Sequence, residues 1–310
     1  MSNAAAGQPH ANSAPAGAAP TSSTPTVGLL DSGLGLVPFA VAVHHELPHA
    51  NLALAMDPDF APYGALTSAQ IEQRALASAR TLVDAGARAL VIACNTASVH
   101  ALSAVRERFE PLVPVIGTVP AVKPAAATGA PFAVWATTAT TGSAYQRSLI
   151  SMYAGDINVY PVACAGLAQA IDSADPETID IALSAAVTAT PREAQSIVLG
   201  CTHYGLVADR IEAAFDRPVT LFDSPQAVAR QLARRLAAQV VSEDPAEVVP
   251  APLSPQAPQP PQVSASPQDS ASPTGRLTHV FLSGKPGSLP AAVEAYAVGR
   301  ELLALRDKPE

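Results

Sequence analysis

The chain has 310 residues, 48% of them hydrophobic and 14% charged, with a formal net charge of -8. That length supports a sizeable core shared between two modest domains, and the negative balance argues against nucleic acid or an anionic membrane surface as a partner. The three cysteines are an odd number set in apolar flanks, the pattern of reduced thiols in a cytoplasmic protein rather than of a disulfide framework.

Residues 1–25 are rich in Ala, Ser, Pro and Gly. They read as a disordered tail, without the basic start and apolar stretch of a signal peptide. A short apolar strand follows at 26–30, then Asp31-Ser32-Gly33, then a helical pattern over 34–47 with Pro38 near its first turn, where proline is tolerated. The run 51–56 predicts a second strand. Residues 57–64 hold two Pro and one Gly, and predict a loop. A helix is expected over 67–85, capped by Thr67, with Ile71, Leu76 and Leu82 on its apolar face. Gly86 ends it, and Ala89-Leu90-Val91-Ile92-Ala93-Cys94 begins a strand that stops at a cysteine.

The pattern then repeats. A helix is expected over 95–109, a strand over 113–116, a turn at 117–120 into another helix, and a strand over 132–135 followed by the Thr-rich turn 137–143. A helix over 145–153 and a strand over 157–162 lead to Cys164. Two helical stretches fill about 165–189. The second cysteine strand is Ser196-Ile197-Val198-Leu199-Gly200-Cys201, followed by a helix over about 203–215, a strand at 219–222 and a helix over about 225–240. Residues 242–275, dense in Pro, Ser, Ala and Gln, lack the large apolar groups a core needs and read as a disordered insertion. A strand at 278–282 and a helix over about 290–304 complete the chain. Strands alternating with helices on short connections predict an α/β fold with largely parallel sheets. In such sheets ligands sit beyond the carboxyl ends of the strands, where Asp31, Cys94, Thr137 and Cys201 all fall. No apolar run reaches the roughly 18–20 residues a bilayer span requires.

Several pieces in order, Asp31-Ser32-Gly33, Pro62-Tyr63-Gly64, Ala93-Cys94-Asn95-Thr96-Ala97, 137–145 and Gly200-Cys201-Thr202-His203-Tyr204, carry a resemblance to the glutamate racemases. It covers about 26–240 and resumes over about 277–304. The resemblance implies two similar parallel-sheet α/β domains facing each other across a cleft. The first would be 26–119 plus 220–310, interrupted by the Pro-rich 242–275, and the second 120–219. It also implies cofactor-independent interconversion of L- and D-glutamate, supplying D-glutamate for peptidoglycan. A related racemase acting on aspartate, or a non-catalytic binding homologue, are the alternatives.

Racemisation at an α-carbon needs a base on one face and an acid on the other, and two thiols suit this when one is ionised. The resemblance assigns these roles to Cys94 and Cys201, with Asp31 assisting the first and His203 the second. Asp31 is otherwise a helix cap. In the family a Glu supports this histidine; Asp172, one methylene shorter, stands at the matching position. Ser32, Asn95, Thr96, Thr137, Thr140 and Thr202 offer hydroxyl, amide and backbone groups to an acidic amino acid, and Pro62, Tyr63 and Gly64 form the loop for its side-chain carboxylate. No Lys or Arg falls in these motifs, so backbone amides carry most of the anion binding. Cys164 reads as structural. No close Cys-x-x-Cys or His-x-x-x-His pair points to a metal, and self-association as a homodimer is left open. Three departures from the family pattern fall near the pocket. Leu36 replaces a second Gly, Gly205 replaces a Pro, and the usual Asp-Thr-Ala-Arg run before Pro62 is missing.

Overall fold

The strand runs are apolar at successive positions because their sheets are covered on both faces. In a strand neighbouring side chains point to opposite faces. Val27 and Leu29 of β1 (Thr26–Asp31) enter one core cluster and Leu30 enters another. The same split divides Ala89 and Val91 from Leu90 and Ile92 in β3 (Ala87–Ile92). The computed structural model describes residues 25–243 and 275–306, so the tail and most of the Pro-rich insertion lie outside the described residues.

The chain proceeds through α1 (Val37–Glu46), β2 (Asn51–Met56), α2 (Ser68–Asp84), β3, α3 (Asn95–Phe109) and β4 (Val115–Gly117). It then crosses to α4 (Val122–Ala126), β5 (Phe132–Ala136), α5 (Ala144–Tyr153), β6 (Val159–Ala163), α6 (Leu167–Ser173), α7 (Pro176–Ala189), β7 (Ser196–Leu199), α8 (Ala208–Ala213) and β8 (Thr220–Phe222). The return brings α9 (Pro225–Glu243), β9 (Leu277–Leu282), β10 (Lys285–Pro286) and α10 (Ala297–Leu303). Two sheets result, ordered β10-β9-β2-β1-β3-β4 and β6-β5-β7-β8. All pairings are parallel except β9 with the short β10. One core cluster runs from the first sheet into the second, joining Val91 and Phe39 to Trp135 and Ile197, so the two lobes share a dry interior.

Helix α2 shows how the local signals work. Thr67 caps it, accepting from the Gln70 amide while the Gln70 side chain reaches back, which makes a capping box. Ile71, Ala75, Ser78, Ala79 and Leu82 form its buried stripe, with Leu76 only partly buried beside it.

Three expectations are corrected. The strand at 220–222 pairs with β7, so the second lobe runs through Phe222 rather than ending at 219, and the return to the first lobe comes with α9. The helical patterns at 34–47, 203–215 and 290–304 each begin with a tighter 3-10 segment, Leu34–Leu36, Thr202–Val207 and Ala291–Ala295. The strand expected at 113–116 forms at Val115–Gly117, since Val113 still bonds back to Phe109. Among the described residues no helix is long and apolar enough to cross a membrane.

Candidate active site

In the first sheet the chain lays β2 on one side of β1 and β3 on the other. The two following loops therefore diverge and leave a crevice at the carboxyl ends of β1 and β3. Asp31 ends β1, and Cys94 lies two residues beyond β3. The second sheet repeats this with β6 and β7 on opposite sides of β5. Thr137 follows β5, and Cys201 lies two residues beyond β7. Each sheet thus presents one thiol at its switch point, and both thiols line one chamber of about 40 Å³. Asp31, Ser32, Pro62, Tyr63, Gly64, Asn95 and Thr96 reach that chamber from the first lobe. Thr137, Thr140, Thr202 and His203 reach it from the second. Every site residue singled out from the sequence is therefore brought together, and Gly200 and Ala168 join them.

The Cys94 side is dry and acidic. Cys94 caps α3, its Sγ accepting from the Ala97 amide at 3.5 Å. Burial pushes its thiol pKa well up; the Asp31 charge adds to that and the Ala97 amide opposes it. Asp31 is buried, and its Oδ1 accepts from the Ser32 amide at 2.5 Å and the Ser32 hydroxyl at 3.2 Å. Its Oδ2 accepts from the Thr202 hydroxyl of the other lobe at 3.0 Å. The turn after it is capped by no side chain, so Asp31 is not the helix cap its position allows. Burial raises the Asp31 carboxyl above the usual range, against the His203 charge and hydrogen bonds from Thr202, Cys94 and Ser32.

The Cys201 side carries a histidine. Cys201 Sγ lies 3.8 Å from His203 Nδ1, and His203 Nε2 lies 3.0 Å from Asp172 Oδ1. The shorter Asp172 reaches the ring because α6 packs against the 202–207 segment, and its Oδ1 also accepts from the Leu34 amide at 3.1 Å. Burial disfavours the imidazolium, but the Asp172 charge and hydrogen bond, helped by Cys201, push the His203 pKa well above its ordinary value. Burial likewise opposes ionisation of Asp172, yet His203 and the Leu34 amide hold its carboxyl below the usual range.

The remaining wall is made of dipoles. Asn95 Nδ2 donates across the lobes to the Gly200 carbonyl at 2.8 Å, while its Oδ1 is buried with no protein partner. Thr137 and Thr140 form one turn, the Thr140 amide donating to the Thr137 hydroxyl at 3.3 Å and that hydroxyl to Thr140 Oγ1 at 3.1 Å. The Tyr63 hydroxyl does not serve the chamber, since it donates to Asp57 at 2.8 Å. Cys164 is buried with its Sγ toward the Val162 carbonyl at 3.8 Å, and it does not line the chamber. Of the departures, Leu36 is buried in the core and Gly205 lies beside Pro38, with room for a Cβ.

Sequence reasoning missed Gly35. A Cβ there would overlap Thr202 Oγ1 and Asp31 Oδ2, and one on Gly33 would stand 2.8 Å from His203 Nε2. It missed Asp57 and Arg74 as well, which pair below the Tyr63 loop. Gly35 could have been found from its place just past Asp-Ser-Gly; nothing in the sequence links Asp57 to Arg74.

Comparison with known proteins converges on one family. Residues 40–232 match the family model for Asp/Glu/Hydantoin racemase. The glutamate racemase of Methylococcus capsulatus is 38% identical over 217 residues, spanning 68% of this chain and 79% of that protein. The glutamate racemase of Ralstonia pickettii is 40% identical over 218 residues, spanning 68% and 76%. The crystal structure of Escherichia coli glutamate racemase in complex with L-glutamate and an activator superposes with a TM-score of 0.65 at 30% identity, covering 69% of this chain and 83% of that one. The Francisella tularensis glutamate racemase in complex with D-glutamate, 22% identical with a TM-score of 0.63 over 92% of this chain and 95% of that one, shares the fold.

Proposed function

This chain belongs to the Asp/Glu/hydantoin racemase family, and from that premise we propose that it interconverts L- and D-glutamate with two cysteines. The observation that carries the reading is the pair of buried thiols at matching switch points of two sheets, lining one chamber, each with its own titratable partner. One thiolate removes the α-proton and becomes a thiol. The electron pair left on the α-carbon delocalises into the α-carboxylate. The second thiol gives its proton to the opposite face and becomes the thiolate, so that atoms and charge balance. The reverse reaction exchanges the two roles. His203, with its Nδ1 3.8 Å from Cys201 Sγ, is the group placed to exchange a proton with that thiol. Cys94, against the Asp31 carboxylate, keeps its proton.

The substrate brings two carboxylates and an ammonium. Asp31 and Asn95 Oδ1 are acceptors for the ammonium. The hydroxyl and amide groups of Ser32, Thr96, Thr137, Thr140 and Thr202 serve the α-carboxylate, and the backbone of the Pro62-Tyr63-Gly64 loop serves the side-chain carboxylate. Among the described residues no Lys or Arg lines the chamber, so fixed dipoles carry most of the anion binding. The scheme uses only this chain's own residues, and its product, D-glutamate, is the form that peptidoglycan synthesis consumes.

The test is incorporation of deuterium from D₂O at the α-carbon, followed by NMR. Incorporation into glutamate, lost by about 10²–10⁴-fold in a folded Cys94→Ser protein, is the expected result. Incorporation into aspartate alone would move the substrate. Incorporation into neither would leave a binding protein on a racemase fold, and Cys94→Ser activity near that of the parent would remove the two-thiol mechanism.

A further inference from the structure

Beneath the Tyr63 loop lies a cluster that the racemisation scheme does not use. Asp57 closes β2 and is wholly buried. Arg74, from α2, forks it, with Nη2 to Oδ1 and Nε to Oδ2, both at 2.7 Å. Oδ2 also accepts the Tyr63 hydroxyl at 2.8 Å. The Arg74 guanidinium is 3.9 Å from the centre of the Phe60 ring, a cation–π contact that fixes its plane. Asp57 is tied to the catalytic side too, its amide donating to the Ser32 carbonyl at 3.3 Å. Burial, with the Asp57 charge behind it, keeps the Tyr63 phenol protonated far above neutrality, so the hydroxyl is a permanent donor.

Two consequences follow from this arrangement. Arg74 does not line the chamber, and its charge is cancelled by the carboxylate it grips, so it adds no net field for an anionic substrate. What it fixes is geometry. The Asp57 carboxylate, whose Oδ2 orients Tyr63, is itself held in place by two parallel bonds, one to each oxygen, which a lysine's point charge cannot reproduce. We propose that Arg74 is a positioning residue for substrate recognition: through Asp57 and the Tyr63 hydroxyl it sets the turn at Tyr63 and Gly64 that receives the side-chain carboxylate of the acidic amino acid. The inference rests on the racemase reading above. It assigns to an arginine outside the pocket the rigidity that the Tyr63–Gly64 turn requires, because backbone dipoles bind an anion well only when held in place.

The experiment compares the parent protein with Arg74→Met, Arg74→Lys and Tyr63→Phe, taking kcat and KM separately for L- and D-glutamate and the thermal midpoint alongside. The expected result is a KM raised about tenfold or more in both directions for Arg74→Met and Tyr63→Phe, with kcat within about threefold. Arg74→Lys should fall between them and the parent. A purely structural pair would instead lower the thermal midpoint with KM unchanged, and that result would overturn the proposal. Should Arg74→Met fail to fold, Tyr63→Phe decides alone, since it deletes one hydroxyl and leaves the ion pair whole. Absence of α-proton exchange in the parent would sink the racemase reading and this inference with it, whereas an active parent with unchanged KM in the variants would sink this inference only.

Discussion

His203 is held between a thiol and a carboxylate, and the signs of the two shifts fix how that affects stability. Its pKa is raised, so the stabilisation from pairing is complete below the unfolded value of about 6.5 and is lost as pH rises through the raised folded value. The Asp172 pKa is lowered, so its contribution is present above about 3.9 and is lost as pH falls through the folded value. Both contributions are therefore present in a window from about pH 4 to beyond pH 6.5. Asp172→Asn should lower the thermal midpoint within that window, with the difference from the parent shrinking at the acid end and again at the alkaline end. It should also move the His203 ring titration downward in NMR, because the neutral amide no longer opposes the burial of the cation. A His203 titration unchanged by the substitution would show that Asp172 does not set its charge. The methylene missing from Asp172 is thus made up by the placement of α6, and a side chain's reach cannot be judged from its length alone.

At the scale of elements, the site depends on short tight turns more than on long helices. The 3-10 turn Leu34–Leu36 packs on the segment Thr202–Val207, and Gly35 is what lets the two approach. Gly35→Ala sets a Cβ against Thr202 Oγ1 and Asp31 Oδ2, forcing apart the two groups whose hydrogen bond joins the lobes. A cost of about 1–3 kcal/mol is expected, read as a lower denaturation midpoint, together with a loss of racemisation larger than stability alone explains. Parent-like activity in Gly35→Ala would mean that the turn yields without disturbing Asp31. These turns were the least legible part of the sequence. Apolar runs ending at Asp31, Cys94 and Cys201 located three strand ends, and the capping signal at Thr67 located α2, because such patterns arise from each segment's own burial. A 3-10 start looks like the first turn of an α-helix in a pattern of apolar spacing, since what tightens it is contact with another lobe. The Asp57–Arg74 pair was hidden for a similar reason. The two residues lie 17 positions apart on different elements, and only the packing of α2 against the strand sheet brings them together. Thirteen of the fifteen chamber residues were legible through family resemblance, whereas composition and periodicity led only to the strand ends.

For the whole molecule the question is how a substrate reaches the thiols. Both are buried, and a chamber of about 40 Å³ is far below the roughly 300–1,000 Å³ of ordinary ligand pockets. The lobes are tied across it by Thr202 to Asp31, Asn95 to Gly200 and the Leu34 amide to Asp172. A further bond, from the Tyr296 hydroxyl to the Ile171 carbonyl at 2.5 Å, anchors α6 next to Asp172 against the C-terminal segment. This arrangement is that of a closed enzyme. Entry of an acidic amino acid requires the lobes to part and those bonds to open, while closure excludes water and strengthens each dipole on the substrate. The apolar cluster that the lobes share limits how far they part, whereas these hydrogen bonds, about 1–3 kcal/mol each, can open and re-form, and a ligand contacting both lobes would favour the closed form. Hydrogen exchange at the Leu34 amide reads this directly, because its acceptor belongs to the other lobe. Saturating D-glutamate should slow exchange at Leu34 about tenfold or more, and exchange at β-strand amides such as Leu29, bonded within one sheet, should hardly change. Equal protection at Leu34 with and without ligand would show that the lobes stay shut in the free protein, and entry would then need a route other than their parting. The neighbouring cavity of about 390 Å³, which shares Tyr63, Gly64, Asn95, Thr96 and Thr140 with the chamber, is where such a route would run.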